Sequence, residues 1–154
     1  MCTAIAILLS DIPAELLETH GLERRVYRRG GEPEVRFDWR DCDPLVPVRE
    51  NGDLKLVMWG SRDRAGPLPP TAWTWRATVE SGGWSWASPE PIVIPAAYGF
   101  EKGIWFKVTE GIRGLVVRGP GDRPHAYMIC EPPTRYYRVM TRSTRMPWLI
   151  DEVI

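Results

Sequence analysis

Cys2 carries the sharpest chemistry in this chain. Removal of Met1 would leave an α-amine and a thiol on adjacent carbons. No internal cysteine can supply that pair. Unperturbed, the amine titrates at about 7.7–8.0 and the thiol at about 8.5, so both are partly reactive near neutral pH. The amine can condense with an aldehyde to a Schiff base, and the thiol can then close a five-membered thiazolidine. A penultimate cysteine alone proves nothing, so the rest of the chain must decide what it is for.

Other chemistries find less support. The three cysteines, Cys2, Cys42 and Cys130, are odd in number and show no C-x-x-C spacing. That argues for a reducing compartment and against a disulfide framework or a zinc site. Only two histidines are present, His20 and His125, far apart. Neither a metal nor another cofactor is expected, and both histidines read as structural or surface residues.

The totals bound the function classes. The chain has 154 residues, one domain's worth, with 44% hydrophobic residues to build a core. Twenty basic and twenty acidic residues give a formal charge of +0. A strongly basic nucleic-acid platform is excluded, but a local basic patch is not. No apolar run reaches the roughly 18 residues needed to span a bilayer. The N-terminal TAIAILL lacks a basic leader and a small-residue cleavage site, so it does not read as a signal peptide. A cytoplasmic protein without a membrane partner is expected; oligomeric state is not legible.

Several elements would have to position Cys2. Thr3 to Leu9 reads as a buried strand that fixes the N-terminus to the core. Ser10 and Asp11 are capping types, and Gly21 suits a helix stop, so one short helix is expected from about Ile12 to His20. Arg24 to Glu34 reads as a loop. Val35 to Trp39 and Leu45 to Arg49 read as short strands, with Pro44 and Pro47 favouring an edge or an extended crossing over a central strand for the second. Asn51-Gly52 signals a hairpin into Leu54 to Trp59. Residues 61–72 form a loop rich in proline, glycine and charge. Two W-x-W pairs follow, Trp73/Trp75 and Trp84/Trp86, whose members would share one face if extended. Most tryptophans read as packing, but one or two could stack unpaired bases, at about 1–3 kcal/mol each. Pro91 to Pro95 reads as a buried strand. Ile104 to Val108, Gly114 to Arg118 and Ala126 to Cys130 read as an antiparallel meander. A single α+β domain over residues 1–154 is expected, built mainly of short antiparallel strands in a barrel-like sheet with few helices.

From Pro132 to Trp148 the chain carries Arg135, Arg138, Arg142 and Arg145 and no acid, interleaved with Tyr136, Tyr137 and Trp148. This run is either a phosphate-binding face or a solvated face balanced in space by acids from elsewhere.

Four pieces, in order, resemble the SOS-response-associated peptidase (SRAP) family, whose members process abasic sites in single-stranded DNA. Met1-Cys2 matches the family's start. Leu56-Val57-Met58-Trp59-Gly60 resembles its R-W-G-L after a strand. Ile94-Pro95-Ala96-Ala97-Tyr98-Gly99-Phe100-Glu101 resembles I-P-A-D-G-F-Y-E. Ser143-Thr144-Arg145-Met146-Pro147 resembles H-D-R-M-P. Trp75-Arg76-Ala77 lies where the family has N-A-R-A-E, and Pro44 to Arg49 resembles its P-V-P-V-x-R. The chain departs at two polar positions: the family's asparagine falls on Thr74 and its histidine on Ser143 or, with another gap placement, on Thr141.

The resemblance implies that Cys2 captures the aldehyde of a ring-opened abasic sugar as a thiazolidine, in a DNA damage response. Glu101 would shuttle protons, with Thr74 and Ser143 standing at the two altered catalytic positions. Arg76, Arg145 and Arg142 would hold phosphates of the single strand, and Trp59 would wedge or stack against bases. The altered positions imply slower crosslinking or altered reversal. Two other readings stay open: an impaired SRAP-like module that only binds single strands, and a thiol autopeptidase that removes its own N-terminus.

Overall fold

The computed structural model describes residues 2–154; the expectation that Met1 is removed concerns a residue outside them. Among the described residues the chain forms β1 (Ala4–Leu8), α1 (Ala14–His20), β2 (Val26–Arg28), β3 (Pro33–Asp38), β4 (Leu45–Glu50), β5 (Asp53–Trp59), β6 (Trp73–Trp75) and α2 (Arg76–Glu80). It continues with β7 (Glu90–Ile94), β8 (Tyr98–Glu101), β9 (Ile104–Lys107), β10 (Ile112–Arg118), β11 (Pro124–Glu131), α3 (Arg135–Thr141) and β12 (Met146–Pro147). This is an α+β fold dominated by short strands.

The strands form two sheets. One has the order β2-β3-β1-β8-β9, antiparallel throughout. The other runs β10-β7-β4-β5-β11, and β10 also pairs β11, which closes the five strands into a barrel. β11 pairs β5 in parallel, so the barrel is mixed. β6 and β12 attach to the far end of β11. Closure removes two sheet edges that would otherwise carry unpaired backbone groups.

Alternation along the strands decides what is buried where. On β11, Ala126, Met128 and Cys130 face the main core, which also takes Ile5, Ile7, Val35 and Phe37 from the open sheet. Tyr127 faces a smaller core outside the barrel with Leu68, Trp84, Leu115 and Val117. The loop containing Leu68 and the turn containing Trp84 cover that second core.

The local readings fare unevenly. Asn51 and Gly52 take φ values of 51° and 86° and close the β4–β5 hairpin as expected. α1 ends at His20 as expected, but its N-cap is Pro13 with no side-chain cap, and Leu9–Asp11 forms a 3-10 turn instead. Pro47 does not place β4 on an edge. β4 lies between β5 and β7, but its register with β7 is a single pair, Arg49 with Val93, so the proline is spared a full second ladder. Part of the expected loop from Arg24 to Glu34 is β2. Trp73 and Trp75 lie on a strand; Trp84 and Trp86 lie in a turn and a 3-10 segment, with rings stacked at 5.9 Å. The expected meander is split: β9 belongs to the open sheet, and β10 and β11 to the barrel.

Candidate active site around Cys2

Cys2 is fully buried. The chain bends at Thr3, just before β1, and so turns the Cys2 side chain into the main core. Two backbone hydrogen bonds clamp the bend. The Thr3 N–H donates to the Phe100 carbonyl at 2.8 Å, and the Trp39 N–H donates to the Thr3 carbonyl at 2.9 Å. Gly99 makes room: a Cβ there would lie 2.8 Å from the Cys2 sulfur and 2.5 Å from the Phe106 ring. The sulfur therefore packs where any other residue at 99 would put its side chain.

Glu101 ends β8, just before the tight turn at Lys102 and Gly103. It is 4% exposed, and its charge bears on the Cys2 thiol. The two residues are far apart in sequence, yet β1 pairs β8 directly and brings them together. Burial pushes the Glu101 carboxyl above its ordinary range, while Lys102 and Arg145 pull it back. Burial also pushes the Cys2 thiol well above its usual value. Cys130, from the inner face of β11, adds a second buried thiol, raised by burial to about 11.

Arg145 stands just before β12. Its guanidinium lies 4.2 Å from the Trp73 ring centre, and its charge acts on both Glu101 and Cys130. Ser143 is buried, but its hydroxyl donates to the Arg145 carbonyl at 3.0 Å and accepts from the Arg145 N–H at 3.4 Å. That hydroxyl shapes the turn carrying Arg145.

Thr74 does not join this group. In the parallel pairing of β6 with β11, Thr74 stands beside Ile129, one step off the face of Cys130. Its hydroxyl accepts from the Trp84 indole at 2.9 Å, in the direction of the outer core. Trp59 also departs from its expected role. It is fully buried and packs edge-on against Trp39 at 6.4 Å, so it offers no face to a base.

The remaining arginines lie at the surface. Arg76 pairs with Glu80 at 2.7 Å and Glu131 at 3.2 Å, and lies 4.2 Å from the Trp148 ring. Arg142 is exposed and caps α3 in a left-handed conformation, with φ of 55°. Lys102 donates to its carbonyl at 2.8 Å, which ties the β8–β9 turn to the end of α3.

Tyr137 is the group member that the sequence hides. It is fully buried on α3 and packs edge-on against Phe106 at 5.3 Å. Burial, then the charges of Cys2, Glu101 and Cys130, push its phenol far above the ordinary value, so it stays a neutral donor. Its hydroxyl makes no well-formed hydrogen bond among the described residues. The nearby Thr141 hydroxyl donates instead to the Tyr137 carbonyl at 2.8 Å. Reading α3 as a helix would have paired Tyr137 with Thr141 on one buried face.

Among the described residues no cluster of three or more His, Cys, Asp or Glu could hold a metal ion, and no helix is long and apolar enough to cross a membrane. Compared with known proteins, the chain matches no family model, no curated protein and no solved structure.

Proposed function

We propose that this chain captures the aldehyde of an abasic site in single-stranded DNA on Cys2, in the manner of the SRAP proteins that its motifs resemble. The observation that carries the reading is the grouping of Cys2 with Glu101, under the charge of Arg145. Those three are the positions where the resemblance places nucleophile, proton carrier and phosphate ligand.

The chemistry needs Met1 hydrolysed off, which frees the Cys2 amine. The amine adds to the aldehyde carbon, and water leaves to give an imine. The thiol sulfur then bonds to the imine carbon, and its proton ends on the ring nitrogen. Glu101 serves as the acid for loss of water and as the base for the thiol proton. Burial raises its pKa, in the direction that helps a carboxyl both give and take a proton. Arg145 holds an adjacent phosphate by charge-assisted hydrogen bonds. Cytoplasmic location belongs to the same proposal.

The test is a denaturing gel. Protein of confirmed N-terminal mass, lacking Met1, is mixed with a single strand bearing one abasic site, beside Cys2→Ala. A shifted band that only the unsubstituted protein gives supports capture; no band overturns it.

A second reading has its own support. The Cys2 thiol is buried and held neutral, the Ser143 hydroxyl is occupied, and Thr74 faces elsewhere. A module that binds single strands without crosslinking fits these facts. It requires strand binding that survives Cys2→Ala and Glu101→Gln, with no shifted band in any variant.

A further inference from the structure

We propose that the cleft beside Trp148 on the outer wall of the barrel is a binding site for a nucleoside phosphate. The cleft holds about 530 Å³, within the range of small-ligand sites. Two arginines in it stand one strand apart. Arg49 on β4 and Arg113 on β10 both register with Val93 on β7, and so project from the same face of the wall. Both line the cleft.

Two carboxylates also line the cleft, but Glu50 is committed to Lys55 at 2.9 Å and, among the described residues, neither it nor Glu90 pairs with these two cations. Among the described residues neither guanidinium makes an ion pair or a hydrogen bond, and the Arg113 Nε is buried with no partner. Arg76, on the same patch of surface, is different: two carboxylates neutralise it. Arg113 is held only against the Trp148 ring, at 4.8 Å. A buried donor without an acceptor calls for an explanation, and a bound anion supplies one. The guanidinium fork matches the oxygens of a phosphate or a carboxylate, and two such forks in one cleft suit the doubly charged phosphate.

The rest of the cleft selects what carries the phosphate. Val79, Val93 and Ile129 give the cleft apolar lining. Asn51 and Glu90 stand at the far end. Glu90 is three residues along β7 from Val93, a separation of about 10 Å. The cleft thus has two cations level with Val93 and acceptors offset from them along β7, with apolar lining around both. A nucleoside monophosphate with an exocyclic amine has the complementary order: phosphate, flat body, donor. Trp148 lines the cleft beside Arg113 and supplies aromatic surface for the base.

The site stands apart from the Cys2 chemistry. Arg113 faces away from the core, whereas its neighbour Ile112 and the facing Cys130 point inward. The proposal therefore does not depend on aldehyde capture, and a monophosphate, having no aldehyde, tests it separately.

The whole chain is titrated with AMP, CMP, adenosine and inorganic phosphate, with tryptophan fluorescence and calorimetry as readouts. AMP and CMP are expected to bind, with adenosine and phosphate each weaker by roughly tenfold or more. Arg49→Ala and Arg113→Gln should each weaken AMP by a similar factor, and Arg113→Lys should recover part of the loss. Arg49 is exposed, so its variant keeps the test valid if Arg113→Gln fails to fold. The same variants are titrated with a short single strand lacking any abasic site. Parallel loss assigns the phosphate to a strand; unchanged strand binding assigns it to a free nucleotide. No AMP binding, or AMP binding indifferent to Arg49→Ala and Arg113→Lys, overturns the proposal.

Discussion

The Cys2 sulfur fills the space that a side chain at Gly99 would need, 2.8 Å from where its Cβ would stand. The same Cβ would meet the Phe106 ring at 2.5 Å, so neither neighbour can give without moving the other. Gly99→Ala should therefore overpack the core, at a cost of about 1–3 kcal/mol. Urea unfolding measures that cost. If Cys2 is the nucleophile, the displaced sulfur should also lower the crosslinking rate at temperatures where the variant remains folded. A variant as stable as the original would show that the sulfur is not held by Gly99.

Glu101 makes the fold sensitive to pH. Burial raises its carboxyl above the unfolded value, so the folded protein binds the proton more tightly. The unfolded chain loses that proton first as pH rises. Stability therefore falls between the ordinary carboxylate value and the raised one, and the penalty persists above it. Below the ordinary value both states are protonated and the penalty is absent. Glu101→Gln removes this dependence. Its stability relative to the unsubstituted protein should improve as pH rises above the ordinary carboxylate value of about 4.3, as read by denaturant unfolding at several pH values. Parallel stability profiles would show that Glu101 is not perturbed.

What could be read from the sequence follows from how local each signal is. Asn51-Gly52 acts through its own backbone, so its hairpin was legible. The α+β class and its barrel-like character followed from many short strands with turn signals between them. The parallel pairing of β11 with β5 was not legible, because it joins segments about 70 residues apart whose alternation fits either direction. Thr74 illustrates a second limit. Trp73, Thr74 and Trp75 alternate, but nothing in W-T-W says which face meets Cys130. Tyr137 was obscured by its neighbours: the arginines around it mark a surface, and the buried stripe of a short helix is only Tyr137 and Thr141. The grouping of Cys2 with Glu101 came from the family resemblance, not from composition or periodicity.

Glu34 is the main buried ionic anchor of the open sheet. It is 1% exposed and receives Arg29 through two hydrogen bonds, at 3.1 and 2.8 Å, and Arg36 at 2.8 Å. Both arginines also lie over the Trp105 ring, at 4.3 and 4.8 Å. Glu34→Gln should leave two partly buried cations facing a neutral amide, at a cost of about 1.5–3 kcal/mol. Because Trp105 packs at 4.9 Å from Phe100, next to Glu101, the near-ultraviolet dichroism should change as well. A loss under about 0.5 kcal/mol would place this network with ordinary surface ion pairs.

Trp59 distinguishes a core role from a stacking role. Its full burial and edge-on contact with Trp39 predict that Trp59→Ala costs about 3–5 kcal/mol. Trp59→Phe should cost less and leave single-strand affinity unchanged at a fixed salt concentration. Weaker strand binding by a stably folded Trp59→Phe variant would restore the base-stacking role that burial denies it.

Tyr137 separates stability from chemistry at the same position. Its hydroxyl is buried without a well-formed hydrogen bond among the described residues, so Tyr137→Phe removes a desolvated group and no strong bond. The variant should be as stable as the unsubstituted protein, or more stable by up to about 1 kcal/mol. The edge-on contact with Phe106 survives, because the ring is retained. Any change in crosslinking rate can then be assigned to the lost O–H. The phenol stands close enough to feel the charges of Cys2 and Glu101, and it stays protonated at every physiological pH. On the aldehyde-capture proposal, it would donate to the aldehyde oxygen while Glu101 carries the proton, in the place that Thr74 leaves by facing the other way. A slower rate at full stability, with its pH profile unshifted, is the expected result. An unchanged rate would confine Tyr137 to packing.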